Sequence, residues 1–184
     1  MGRSSRRCGL FRASRSREDV VVPVDFEPAS YHALVYAQDL TRAVGARLHL
    51  LHVLDDAFAL PAGTEGSLSA FPQLARRTEN QAAERLNELL DDEDQKSGAV
   101  TVVVISPDPA TAIVRYAEQV HASAIVMGTH GRIDKPEGAA IGSVAEQVIR
   151  TARCPVLVMR QLPQEALVAM EPARKSAASP PPLA

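Results

Sequence analysis

Residues 125–144, IVMGTHGRIDKPEGAAIGSV, decide how this chain is read. Ile125, Val126 and Met127 form a short apolar run of the kind found in a buried strand. Gly128 and Gly131 follow. Neither has a Cβ, so the backbone can turn tightly and another group can come close. Gly142 and Ser143 then open a new pattern, in which Ser143 and Glu146 match the S-x-x-E capping box of a helix start. The stretch predicts strand, loop, helix. The first turn of a helix presents unpaired N–H groups at the positive end of its dipole, which favours anions such as phosphate.

The same alternation extends through the chain. Residues 19–25 (DVVVPVD), 47–54 (RLHLLHVL), 99–106, 123–128 and 155–159 (PVLVM) read as strands. Their continuous apolar runs suit a parallel sheet covered on both faces. Helical spacing fills the intervals. Ala33, Ala37, Leu40 and Val44 share one face of a helix over residues 28–44, which Pro28 opens and Gly45 stops. Glu27, before Pro28, is a weaker cap than Ser or Asp. A second helix over residues 73–93 turns Ala82, Leu86, Leu89 and Leu90 inward, and DDED at 91–94 reads as its solvated end. Asp108 and Pro109 start a third helix, with Ile113, Tyr116, Ala117 and Val120 inward; the fourth begins at Gly142–Ser143. Five strands alternating with four helices predict an α/β fold, an open five-stranded parallel sheet with helices on both faces. Residues 55–72, with Pro61, Gly63, Gly66 and Pro72, read as an irregular surface connection. His49 and His52 are three apart on a strand and face opposite sides, which rules out a local two-histidine metal site.

Composition narrows the function classes. The 184 residues allow one domain with tails. Residues 1–17 hold six Arg and no acid and are expected to be a basic, disordered tail. Residues 18–161 form the predicted domain, and the Pro/Ala/Ser-rich residues 162–184 a second tail that builds no core. Outside the basic tail, 14 basic residues face 22 acidic ones, a formal charge of −8. An acidic body with no Trp and 4% aromatics argues against nucleic-acid binding, which needs cationic surface or stacking platforms. No apolar run approaches the roughly 18 residues of a membrane span, so no membrane association is expected. Cys8 and Cys154 make no disulfide framework, and the expected compartment is a reducing cytoplasm.

Four segments carry a resemblance: VVVPVDFEPAS, ARLHLLHVL, GTHGR and IGSVAEQVIRTARCPVLVMR. Over residues 19–160 the chain resembles the universal stress proteins. The resemblance implies a sheet order of 3-2-1-4-5, as in adenine nucleotide α-hydrolase-like folds, and a single-domain member. It implies ATP, or AMP or ADP, as ligand. Asp25 would then meet the adenosine and the backbone of Val53 the adenine. Met127, Gly128, His130, Gly131, Gly142, Ser143 and Val144 would complete the site, and Mg²⁺ would ride in with the phosphates. It also implies a homodimer through the last strand, which begins at Pro155 and closes at Arg160.

The family's ATP-binding pattern is G-x2-G-x9-G-[ST]. Here ten residues, 132–141, separate Gly131 from Gly142. Asp134 and Glu137 in this loop oppose phosphate, and Arg132 and Lys135 offset them. The chain has no P-loop lysine motif and no evident base, so the expected function is a nucleotide-binding sensor or regulator without efficient hydrolysis, acting on a protein partner not named by the sequence. The longer, acidic loop supports an alternative, a dimeric stress-response interaction protein that binds no nucleotide. A nucleotidyl-transferring enzyme would need a glycine-rich SGGxDS loop after the first strand, and VDFEPAS lacks those glycines.

Overall fold

The computed structural model describes residues 18–59, 65–67, 71–129 and 141–160. The expected tails, His130, Gly131 and residues 132–140 lie outside them. In chain order the elements are β1 (Asp19–Pro23), α1 (Pro28–Val44), β2 (Arg47–Leu54), β3 (Ala57–Ala59), β4 (Glu65–Ser67), α2 (Pro72–Glu88), α3 (Asp92–Lys96), β5 (Val100–Ile105), α4 (Pro109–Gln119), β6 (Ala124–Thr129), α5 (Ser143–Thr151) and β7 (Val156–Arg160). Among them, β1, β2, β5, β6 and β7 form one parallel sheet in the order β5-β2-β1-β6-β7. Counted along the chain, its five strands run 3-2-1-4-5, as expected.

Continuous apolar strands are explained by what covers each face, because successive side chains point to opposite sides. Val20, Val22 and Val24 pack with Ala33, Leu34 and Ala37 of α1 and Leu86 of α2. Val21, Ile125 and Met127 pack on the other side with Ile113, Val114 and Ala117 of α4 and Ala145 and Val148 of α5. Each such fully buried Val, Leu or Ile contributes about 1.5–3 kcal/mol. Strands with both faces covered in this way need apolar runs, and residues 20–23 of β1 and 124–127 of β6 supply them.

α1 keeps its expected bounds. Glu27 sits at the cap in extended conformation with no side-chain cap bond, Pro28 opens the helix, and Gly45 closes it at φ 72° with its N–H donating to Thr41 O. Val44 is 46% exposed rather than buried, and Leu34 and Thr41 lie inside instead.

Four expectations are corrected. The first strand stops at Pro23 rather than residue 25; the Val24 N–H still donates to Leu51 O at 2.8 Å, and Phe26, at φ 64°, then turns the chain. The second helix ends at Glu88 rather than running to residue 93. Asp91 instead caps the short α3: its Oδ1 accepts from the N–H of Glu93 at 2.9 Å and of Asp94 at 3.0 Å, and Asp94 Oδ2 accepts from the Asp91 N–H. Acids belong at helix starts, where they satisfy N–H groups and complement the dipole. Asp94 is not solvated; it is 3% exposed and accepts from Gln38 Nε2 at 2.6 Å and Arg42 Nη2 at 3.0 Å, both on α1. The connection read as irregular contains an antiparallel ribbon, with Phe58 of β3 opposite Gly66 of β4. A further correction, at Ser143, concerns the site and is described with it.

At the amino end of the sheet stands a buried polar group. Arg47 donates to both Asp19 oxygens, at 2.7 and 3.0 Å. His49 Nε2 is 3.1 Å from Asp19 Oδ1 and its Nδ1 is 2.8 Å from Tyr116 Oη. With Nε2–H donating to the carboxylate, Nδ1 accepts from the tyrosine hydroxyl. His52, on the opposite face, donates from Nδ1 to Val24 O at 2.6 Å. Both histidines serve the architecture, as their spacing implied.

Candidate functional site

β1 and β6 are neighbours, yet their connections leave to opposite faces, β1 into α1 and β6 towards α5. Such a switch point opens a crevice at the carboxyl ends of the strands. Here it holds a cavity of about 500 Å³. Asp25, Val53, Met127, Gly128, Gly142, Ser143 and Val144, seven of the nine residues singled out from the sequence, line it together. The other two, His130 and Gly131, lie outside the described residues.

Each lining residue has a local reason for its place. Gly128 sits within β6, and a Cβ there would meet the Ala29 carbonyl carbon at 2.5 Å, the Ala29 oxygen at 2.6 Å and the Ser30 nitrogen at 2.7 Å. The glycine is therefore required by the packing of the α1 start against β6. Within β6 it does not turn the chain as expected, and the packing reason stands beside its place on the cavity wall. Thr129, which the sequence reading passed over, accepts from the Gly142 N–H at 2.9 Å through Oγ1. That bond spans the loop and ties the end of β6 to the start of α5.

The expected capping box is not formed. Gly142 occupies the cap position of α5, with no side-chain cap bond, and Ser143 is the first helical residue. From that position its hydroxyl cannot close the S-x-x-E box. The first N–H groups of α5 have no intrahelical partners, and Gly142, Ser143, Val144 and Ala145 bring this end of the helix to the cavity wall.

Opposite them, Asp25 stands just beyond β1. Its Oδ1 accepts from the Glu27 N–H at 3.0 Å, so the carboxylate shapes the turn as well as the wall. Phe26 between them pays about 1–2 kcal/mol for its left-handed backbone. Its ring lies 4.5 Å from the His52 ring, and the Arg85 guanidinium is 3.8 Å from the ring centroid. Burial pushes the His52 pKa below its ordinary value, and the Arg85 charge adds to the effect.

The remaining wall is mainly apolar. Pro23, Val24, Leu51, Ile113 and Ile141 contribute to it, with Ser30 and Pro109. Pro109 and Ile113 come from α4, and only the packing of α4 onto the sheet brings them here. Pro109 did carry a sequence signal, as the first residue of a helix following a strand end. Among the described lining residues, Asp25 is the one charged side chain. No group of three or more His, Cys, Asp or Glu suited to a metal occurs among the described residues. The arrangement can take a ligand with a flat apolar part against Val53, Leu51 and Met127 and an anionic part at the start of α5.

Comparisons with known proteins agree with this architecture. The model of the universal stress protein family matches residues 16–160. A universal stress protein of Methanocaldococcus jannaschii is 30% identical over 146 residues, 79% of this chain and 84% of the relative. The solved structure of a universal stress protein of Lactobacillus plantarum is 28% identical, with a TM-score of 0.58 over 79% of this chain and 99% of that one. A universal stress protein solved in complex with cAMP shares the fold at 21% identity, with a TM-score of 0.52 over 79% of this chain and 98% of that one. Sheet order, switch-point cavity and family match together show that this chain belongs to the universal stress protein family.

Proposed function

We propose that this chain binds an adenine nucleotide, ATP or its di- or monophosphate, between β1 and β6, and works in the cytoplasm as a sensor or regulator. The observation that carries the reading is the convergence of Asp25, Val53, Met127 and the Gly142–Val144 segment on one cavity large enough for such a ligand. The start of α5 suits the phosphates, and the apolar wall suits the base. A protein of the same fold solved with cAMP lends support, since it holds an adenine nucleotide. Mg²⁺ would enter with the phosphates, as it commonly uses few protein ligands.

Binding without efficient turnover follows from the donor set. Phosphoryl transfer needs placed positive charge and an oriented water, and the described cavity wall offers no Lys, Arg or His. Isothermal titration of the full chain with ATP at low salt should give saturable heat and a raised melting temperature. Absence of both at millimolar ATP would favour the dimeric interaction protein that binds no nucleotide. Efficient steady-state hydrolysis, lost in Asp25→Ala, would overturn the claim of slow turnover.

We further propose that two copies pair along β7. It is an edge strand, paired on one side with β6, and Val156, Leu157, Val158 and Met159 are half-buried along it. An open apolar edge needs a partner or a cover. Sedimentation equilibrium should show a dimer at micromolar concentration; a monomer throughout would refute the pairing.

A further inference from the structure

We infer that Arg85, on α2, is a positioning residue for the cavity: the stack it makes with Phe26 and His52 holds the left-handed turn that sets Asp25 at the cavity wall. The inference rests on reading the cavity as a nucleotide site. It starts from an anomaly. Bulky side chains rarely adopt a positive φ, because the Cβ crowds the neighbouring carbonyl. Phe26 does so at φ 64°, one residue from a carboxylate that lines the cavity. Such a conformation persists only where the surroundings over-determine it.

The surroundings are on both sides of the turn. The Phe26 ring is half-buried against the α1–α2 side of the core. The His52 ring meets it at 4.5 Å, tilted by 45°, and the Arg85 guanidinium lies over it at 3.8 Å. His52 is itself anchored, donating to Val24 O at 2.6 Å. Thus Val24 and Phe26, the two neighbours of Asp25, are both held through His52, and Phe26 also through Arg85. The Asp25 carboxylate completes the turn by accepting from the Glu27 N–H at 3.0 Å. Asp25 has little freedom once Val24, Phe26 and Glu27 are placed.

Arg85 is the informative member. No described residue lining the cavity comes from α2, so Arg85 acts on the site through Phe26. It is exposed, so replacing it leaves the core intact. A cation over an aromatic face is electrostatically favoured, and lysine supplies a cation as well. Glycine in place of Phe26 would adopt the turn unaided. That difference separates positioning from general support of the fold.

The test is calorimetric titration with ATP of five full-length proteins: wild type, Arg85→Met, Arg85→Lys, Phe26→Gly, and the double variant Phe26→Gly/Arg85→Met. Arg85→Met should weaken ATP binding by about fivefold, and Arg85→Lys by no more than about twofold, a rescue by the retained cation. Phe26→Gly should bind within about threefold of wild type, and adding Arg85→Met to it should change the affinity by less than about twofold. Two results would overturn the inference while leaving the nucleotide reading intact. One is Arg85→Met binding ATP as wild type does. The other is an equal loss from Arg85→Met in the wild-type and Phe26→Gly backgrounds, which would place Arg85 in direct electrostatic contact with the ligand. A wild-type protein that takes up no ATP would overturn both together.

Discussion

A single glycine shows how one residue can carry a reason that its own stretch of sequence does not display. Gly128 lies near the end of a strand beside the cavity, and the backbone of Ala29 and Ser30 already excludes a side chain there. The opposing atoms are main chain and cannot rotate away, so Gly128→Ala must push α1 off β6. The expected cost is about 1–3 kcal/mol, as for other overpacked cores. Urea denaturation would measure it, and an unchanged midpoint would show that α1 yields freely. Thr129 is the converse case. A threonine at a strand end has no pattern to announce it, and its bond to the Gly142 N–H crosses a twelve-residue interval that no local spacing encodes. At Ser143 a matching motif was present but shifted: the cap fell one residue earlier, at Gly142. Local motifs fix residue types, whereas the surrounding chain decides which residue is half in and half out of the helix.

At the scale of elements, the instructive case is the acidic run 91–94. Read alone, four consecutive acids mean solvent. In the fold they split between two tasks, since Asp91 caps α3 and Asp94 is buried against Gln38 and Arg42 of α1. Arg42 also pairs with Asp91 and Glu93, so this short helix is stapled to α1 by one guanidinium. Asp91→Ala should cost about 1 kcal/mol, the usual loss of an N-cap. Asp94→Ala should cost more, because it removes a buried carboxylate that accepts from Gln38, Arg42 and the Asp91 N–H together. Thermal melts of the two variants test the order, and a larger loss at Asp91 would contradict it. The helix and strand bounds of α1 and β2 were legible because Pro28, Gly45 and the apolar periods coincide. The α2–α3 break was not, because Leu89 and Leu90 keep contact with the core across the break and so preserve the helical period.

For the whole molecule, stability should depend on pH through the two strand histidines. Burial, with the Arg47 charge, lowers the His49 pKa against the pull of the Asp19 carboxylate, and burial with the Arg85 charge lowers that of His52. The folded chain therefore binds fewer protons than the unfolded chain, whose histidines titrate near about pH 6.5. Their contribution is full above that pH and is lost as the pH falls through the lower folded values. Burial alone would raise the Asp19 carboxyl, but the Arg47 hydrogen bond and the His49 and Arg47 charges hold it below the usual range. Its contribution survives to lower pH, so the first loss on acidification belongs to the histidines. Urea midpoints should fall between about pH 7.5 and 5.5, and fall less in His49→Gln; a flat profile would refute this. Fold class and sheet order were within reach of the sequence alone, and seven of the nine residues it singled out line one cavity. The apolar period and the residue types at strand ends and helix starts are local properties, and they can be read without their neighbours. The tertiary structure decided what depends on contact across distance. It determined why Gly128 must be glycine, that Phe26 is held in a left-handed turn by His52 and Arg85, that α4 lends Pro109 and Ile113 to the cavity, and that an acidic run is a cap and a buried partner. These are non-local, because the energy of each lies in atoms that folding brings together from far apart in the chain.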